Sequence, residues 1–274
     1  MMPSKPDGPG RRSRAGADAT RSGADATRSG ADAGIAAAAA GVGHLRVLRL
    51  AVPIILSNLS VPLVGLVDTA VMGRLPDPAF LGAVALGAVL FSFLYWGFGF
   101  LRMGTTGLVA REFGRGAGAA ARELLLRNLA LAAVFGLALL ALQWPIGQLA
   151  RWLMPASPAV ESAMLEYYGI RIWAAPAVLA NYVLMGMFIA MQRTGYALLA
   201  QLVLNLGNAA LSVTFVIGLG FGISGVAAAS LIAEYAALAC GLVLVRIALG
   251  SLPGQWRPQR MLEVGGYRAL LVVN

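Results

Sequence analysis

From Leu45 onward, the chain consists of long apolar segments separated by short polar breaks. About 20 apolar residues are needed for a helix to cross a hydrocarbon core of roughly 30 Å. Lipid offers the backbone no hydrogen-bond partners, so an open chain can cross it only as helices. The pattern therefore predicts six transmembrane helices, near residues 47–73, 81–103, 127–149, 163–191, 196–218 and 223–247.

The breaks between these spans alternate in arginine content, which predicts the orientation of the chain. Breaks on one side, including the segment before the first span, carry most of the basic residues: Arg46, Arg49, Arg111, Arg115, Arg122, Arg127, Arg193, Arg246, Arg257, Arg260 and Arg268. The breaks on the other side hold only Arg74 and Arg151. Basic loops stay on the cytoplasmic side, so we expect a multi-pass membrane protein with its N terminus in the cytoplasm.

Two segments lie outside the six spans. Residues 1–43 contain a repeat, RAGADAT-RSGADAT-RSGADA, without apolar a/d positions, and we interpret them as a disordered low-complexity tail, a transit peptide or a wrongly assigned translation start. The segment 45–249 forms the membrane part. Residues 250–274 are predicted to be a cytoplasmic linker that approaches a seventh, missing helix.

Composition excludes several classes of protein. The chain is 59% hydrophobic and 12% charged, about half the charged fraction of a soluble domain. Its net charge of +9 lies in the tail and the loops, so nucleic-acid binding is not predicted. With one cysteine (Cys240) and one histidine (His44), no metal site and no His-based catalytic centre is expected, and we predict neither a cofactor nor an enzyme.

Asp68 is the most costly residue of the first span, because an aspartate at the centre of a membrane helix costs roughly 3 kcal/mol. The alternative is an aspartate at the helix end that reaches the headgroups. Pro53 and Pro62 of the same span favour a functional role, because transporters bend helices around a site in mid-membrane.

The fifth span carries a polar stripe. Its members, Gln201, Asn205, Asn208 and Ser212, recur at helical spacing on one face. Such stripes either join helices by hydrogen bonds or line a cavity, and the spacing does not decide between them. Glu234 in the sixth span has the same two interpretations.

Two arginines also lie within or close to the spans. An unpaired charge at the depth of Arg171 is costly, so we expect Arg171 to pair with Asp68 or Glu166. Arg102 is predicted to lie at the cytoplasmic end of the second span, where its side chain reaches the interface. The segment REFGRGAGAAARELLLRN that follows is predicted to be a cytoplasmic loop with an interfacial amphipathic stretch.

The strings LAVPIILSNLSVPLVGLVDTAVMGRL, FLRMGTTGLVAREFGRG, IRIWAAPAVLANYVLMGMFIAMQ and SLIAEYAALACGLVLV resemble the DinF branch of the multidrug and toxic compound extrusion (MATE) transporters. The resemblance covers residues 45–274. It implies an all-α integral membrane fold of twelve helices in two lobes, of which this chain is the N-terminal six-helix lobe, truncated before the seventh helix. It also implies a location in a bacterial inner membrane and export of small organic, often cationic, substrates by H⁺ or Na⁺ antiport, with H⁺ favoured.

The resemblance also implies roles for particular residues. Asp68 matches the aspartate used for cation coupling, and Asn208 matches an asparagine of the substrate cavity. A second cavity aspartate of many relatives is replaced by Ser212, which leaves Asp68 as the main titrating group, with Glu234 as a second candidate. A second lobe is then a required partner. Two alternatives are a lipid-linked precursor flippase of the same superfamily, with a more cationic cavity, and a non-functional truncated product.

Overall fold

The computed structural model describes residues 52, 55, 70–74 and 77–250. Five helical units in this part are long and apolar enough to cross a membrane: Pro78–Gly114, Gly118–Ala141, Pro158–Ala190, Thr194–Gly218 and Gly222–Gly250. They confirm the predicted second to sixth spans and the all-helical membrane fold. Most of the predicted first span, with Asp68, lies outside the described residues, as do the tail 1–43 and residues 251–274.

Short interruptions divide three of these units. The helices are α1 (Pro78–Trp96), α2 (Gly99–Gly114), α3 (Gly118–Ala141), α4 (Gln143–Leu153), α5 (Pro158–Arg171), α6 (Ala175–Ala190), α7 (Thr194–Ser212) and α8 (Gly222–Gly250). A 3₁₀ turn, Ile172–Ala174, joins α5 to α6, and a π-helical segment, Val213–Gly218, extends α7.

The α5–α6 unit lies at the centre of the bundle and is the most buried of the five. α5 packs against α1, α6 packs against α2 and α3, and α8 packs against α5, α6 and α7. Met164, Leu179 and Val183 are completely buried in this core. The central unit therefore fixes the relative positions of the helices that surround it.

Glycines allow the closest helix contacts. A Cβ atom on Gly136 of α3 would lie 2.5 Å from the Cα atom of Pro176 in α6. A Cβ atom on Gly186 of α6 would lie 2.6 Å from the carbonyl oxygen of Arg102 in α2. Small residues let helix backbones approach in lipid, where packing rather than hydrophobicity drives association. These contacts hold α2 and α3 tightly against α6.

The segment between the second and third spans, predicted to be a loop, is mostly helical, whereas its cytoplasmic location stays a prediction. α2 continues to Gly114 and α3 begins at Gly118, so only residues 115–117 separate them, with Gly116 at a φ of 70°. The side chains of Arg122 and Arg127, which the sequence places in a loop, are buried. Arg122 donates a hydrogen bond of 2.7 Å to the carbonyl oxygen of Leu249 near the end of α8.

The predicted third span divides into a membrane helix and a shorter second helix. α3 has 24 residues, about 36 Å of helix, and already exceeds the hydrocarbon core. α4 follows as a separate, strongly amphipathic helix of 11 residues. Its Gly147 and Ala150 are buried, whereas Trp144 and Trp152 are 73% and 77% exposed.

Candidate functional site

A cavity of about 610 Å³ opens between six helices of the bundle. Its volume is typical of a site for a drug-sized molecule. Its walls combine aromatic, amide and charged side chains: Phe91, Ser92, Tyr95, Trp96, Arg102, Tyr167, Arg171, Asn181, Tyr182, Gln201, Asn205, Asn208, Ser230 and Glu234, with Val84, Ala88, Val178, Met185 and Leu204. α1, α2, α5, α6, α7 and α8 each contribute to it.

Glu234 is the one carboxylate among the described residues of the cavity wall. It lies about 18 Å along α8 from Gly222, well inside a span. The amide nitrogen of Asn181 donates to its Oε2 at 3.0 Å and to its backbone carbonyl oxygen at 3.1 Å. The residue is half-buried and lines the cavity, so Asn181 holds a carboxylate that belongs to the cavity wall.

Three members of the polar stripe line the cavity. Gln201 donates to the Oδ1 of Asn205 at 3.1 Å, and Asn208 donates to the hydroxyl of Ser230 at 2.8 Å. The sequence left open whether the stripe joins helices by hydrogen bonds or lines a cavity. It does both, because Asn208 bonds α7 to α8 and three members of the stripe form part of the cavity wall. Ser212 differs: its side chain is completely buried, and it is not among the described residues of the wall.

Arg171 packs against an aromatic cluster. Its guanidinium carbon lies 5.4 Å from the ring centre of Phe91 and 6.0 Å from that of Tyr167, both within the range of a cation–π contact. Phe91 also stacks on Tyr95, with ring centres 5.6 Å apart. Arg171 additionally interacts electrostatically with Glu234.

Asp68 and Glu166 are the two carboxylates predicted to pair with Arg171, and the structure describes only Glu166. The carboxylate of Glu166 accepts a hydrogen bond from the hydroxyl of Ser224. Among the described residues, no ion pair joins Glu166 to Arg171. Asp68 lies outside the described residues, so its pairing with Arg171 stays a prediction.

Arg102 lies in the first turn of α2, which continues to Gly114, roughly three turns beyond it. The helical unit Pro78–Gly114 therefore extends past residue 103, the predicted end of the second span. That the Arg102 side chain reaches the membrane interface stays a prediction. Its side chain is exposed and lines the cavity. The Arg102 backbone packs closely against Gly186 of α6, where a Cβ atom would lie 2.6 Å from the Arg102 carbonyl oxygen.

Sequence reasoning missed most of the wall, including the aromatic residues of α1 and the neighbouring pair Asn181 and Tyr182. An asparagine in an apolar span is itself costly, and this was a signal that Asn181 has a partner. Tyr182 lies close enough to both Glu234 and Arg102 to interact electrostatically with each. No cluster of metal-binding side chains occurs in the part of the chain that the structure describes.

Comparison with known proteins identifies the family of this bundle. The MatE family model matches residues 53–214, more than half of the chain. The chain belongs to the MATE family. DNA damage-inducible protein F of Escherichia coli is 40% identical over 232 residues, which cover 82% of this chain and 49% of that protein, and it identifies the DinF type. A probable multidrug resistance protein NorM of Pseudomonas aeruginosa is 34% identical over 181 residues, covering 65% of this chain and 36% of that protein.

Solved structures agree with the fold. A transporter of the MOP superfamily from Pyrococcus furiosus, described as having a binding pocket of reverse polarity, matches 82% of this chain and 49% of its own with a TM-score of 0.73 at 22% identity. A MATE structure in complex with MaD3S matches 82% of this chain and 52% of its own with a TM-score of 0.67 at 24% identity. The chain therefore spans about half the length of the relatives it matches.

Proposed function

We propose that this MATE-family chain is one lobe of a secondary transporter that exports small organic, often cationic, compounds from the cell. The observation that carries the proposal is a single carboxylate, Glu234, in a described cavity wall whose other side chains are aromatic, aliphatic, hydroxyl- or amide-bearing, or basic. A flat aromatic cation can pack against Trp96 and Tyr182, the more accessible aromatic residues of the wall, while its charge is balanced by Glu234. The names of the curated relatives, which concern multidrug resistance and DNA damage, are consistent with export.

The second part of the proposal concerns cation coupling. Asp68 is the proposed coupling residue, and H⁺ is favoured over Na⁺. Protonation of Asp68 from outside neutralises a negative charge of the site and releases the bound cation outward. Gln201, Asn205 and Asn208 line the cavity in which the substrate binds, and Arg171 is the proposed charge partner of Asp68. Alternating access requires a second lobe that moves against this one.

A lipid-linked precursor flippase of the same superfamily is the second candidate function. It is favoured by the two arginines, Arg102 and Arg171, that face one described carboxylate in the cavity wall. An anionic polyprenyl phosphate in nanodiscs distinguishes the two functions. It displaces a bound cationic dye if the protein is a flippase and leaves it bound if the protein is an exporter of organic cations.

Proton release on substrate binding tests the coupling mechanism and needs only this chain. Purified protein in weakly buffered detergent solution is mixed with the cationic dye rhodamine B ethyl ester between pH 5 and 8, and the released protons are read with a pH indicator. If protons and dye compete for Asp68, wild type releases protons in at least part of this range and Asp68→Asn releases fewer. Dye binding that releases no protons but weakens when Na⁺ replaces K⁺ would contradict H⁺ coupling.

A further inference from the structure

A second, much smaller cavity of about 20 Å³ adjoins the large one between α6, α7 and α8. The two spaces are neighbours because four residues line both of them: Asn181, Met185, Gln201 and Leu204. The other described residues that line the small cavity are apolar: Leu184, Phe188, Ala200, Ala237 and Gly241. We call this small cavity the side chamber.

The side chamber extends from the large cavity toward one end of the bundle. Phe188 lies about two turns beyond Asn181, near the end of α6. Ala200 is in the second turn of α7, and Gly241 lies about two turns beyond Glu234 on α8. Phe188 is completely buried, so this part of the chamber wall has no contact with bulk solvent.

Two amide side chains at the border of the side chamber have hydrogen-bonding capacity left. The amide nitrogen of Asn181 donates to Glu234, and that of Gln201 donates to Asn205. Neither amide oxygen accepts a hydrogen bond from a residue that the structure describes. A bound water needs about 10–15 Å³ and two to four polar partners, whereas purely apolar cavities stay dry. The described chamber wall has no carboxylate, so it suits a water better than a metal cation.

We propose that the side chamber is a water-binding site, in which one water donates its two hydrogens to the Oδ1 atom of Asn181 and the Oε1 atom of Gln201. This water joins two pairs that share no direct bond among the described residues, Asn181 with Glu234 and Gln201 with Asn205. The polar groups of α6, α7 and α8 then form one hydrogen-bonded network along the cavity wall. The site does not depend on what the large cavity binds.

Radiolytic labelling of the purified wild-type chain in nanodiscs detects the water. Hydroxyl radicals that an X-ray pulse generates from a bound water oxidise the side chains beside it, and mass spectrometry locates the oxidised residues. Phe188 is the reporter, because it is completely buried and lines the side chamber. Met187 is the internal control, because it is also completely buried and is not among the described residues of either wall. We expect oxidation of Phe188 without oxidation of Met187. An unmodified Phe188, or oxidation of both residues, would overturn the water site.

Filling the side chamber should remove this signal. Ala200→Val adds two methyl groups to the chamber and changes no described residue of the large cavity wall. Oxidation of Phe188 should be lost in Ala200→Val and kept in Ala200→Gly, which enlarges the chamber. Ala210→Val is the matched control, with the same change at an exposed position of α7, and should also keep it. Oxidation of Phe188 that persists in a folded Ala200→Val would contradict the proposal. If Ala200→Val does not fold, the wild-type labelling still decides it.

The bridging role is tested by combining Asn181→Ala with Gln201→Ala. The midpoint concentration of sodium dodecyl sulfate for unfolding is measured for each single variant and for the double variant. If one water joins the two side chains, the double variant should lose less than the sum of the two single losses. In the Ala200→Val background the losses should add. Additive losses in wild type, or equal non-additivity in both backgrounds, would overturn the bridge.

Discussion

The amide nitrogen of Asn181 donates to the carboxylate of Glu234 at 3.0 Å and to the backbone carbonyl oxygen of the same residue at 3.1 Å. One side chain of α6 therefore holds both the side chain and the backbone of α8 at the level of the cavity. The geometry orients the only described carboxylate of the wall and leaves its second oxygen available. Several measurable consequences depend on this contact and on the helix packing around it.

Loss of the Asn181 amide should weaken the bundle. Asn181→Ala is expected to lower the free energy of unfolding by about 1 kcal/mol, since hydrogen bonds between membrane helices average about 0.6 and reach about 1.7 kcal/mol. The free energy of unfolding is measured by denaturing the purified protein with sodium dodecyl sulfate in mixed micelles. Glu234→Gln is the companion variant, because its amide oxygen can still accept the bond. Asn181→Ala should lower the free energy of unfolding by the same amount in wild type and in Glu234→Gln. A larger decrease in wild type, in which Glu234 can be charged, would indicate that Asn181 mainly stabilises that charge.

The crossing of α3 and α6 should tolerate no side chain at Gly136. Its Cβ would lie 2.5 Å from the Cα of Pro176, a backbone atom that cannot turn aside. Gly136→Ala should therefore destabilise the protein by about 1 to 3 kcal/mol. Gly107→Ala is the matched control, because Gly107 is also helical and nothing lies within 4 Å of its Cβ position. It should be neutral or stabilising by up to about 1 kcal/mol. Equal melting temperatures for the two variants would contradict the close crossing.

Arg122 should hold the end of α8. Its guanidinium donates at 2.7 Å to the Leu249 carbonyl oxygen, in the last turn of α8 that the structure describes. Arg122→Gln shortens the side chain and removes the charge, so amide hydrogens in the last two turns of α8 should exchange faster by about tenfold. Arg115→Gln removes an arginine from an exposed ion pair with Glu112 and should leave that exchange unchanged. Unchanged exchange in Arg122→Gln would mean that the end of α8 is held by packing alone.

The amphipathic helix α4 should lie along the membrane interface. α3 alone spans the hydrocarbon core, and α4 exposes Trp144 and Trp152, a residue type that prefers the headgroup level. In a variant that keeps only these two tryptophans, lipids brominated near the headgroup should quench the fluorescence more than lipids brominated at the chain ends. The reverse order would place α4 within the hydrocarbon core. Quenching by neither lipid would place it in water.

The sequence predicted the second to sixth spans because an apolar segment must reach a minimum length to cross the hydrocarbon core. It failed between 104 and 126, where Thr, Arg and Glu lower the hydropathy although the helices continue. Hydropathy measures preference for lipid, and a helix can extend beyond the lipid or bury its polar side chains against other helices. Residue 103 was for that reason taken as the end of the second span, and Arg122 was placed in a loop.

The candidate site was predicted in part. Helical spacing brought Gln201, Asn205 and Asn208 to one face, and all three line the cavity. The same spacing included Ser212, but periodicity cannot tell which neighbours cover a residue, and Ser212 is packed where α7 passes into the π-helical segment. Asn181 was missed because its partner lies on another helix, far along the chain, and a single sequence contains no record of that contact.

Binding of rhodamine B ethyl ester to the purified chain in nanodiscs tests the central claim, that the cavity binds organic cations through Glu234. Glu234→Gln keeps the shape of the side chain and removes its charge, so the account predicts an affinity at least about tenfold lower than that of wild type. Glu166→Gln is the matched control, because its carboxylate bonds to Ser224 and is not among the described residues of the cavity wall, and it should bind the dye as wild type does. Wild-type affinity in Glu234→Gln, or an equal loss in both variants, would contradict the claim.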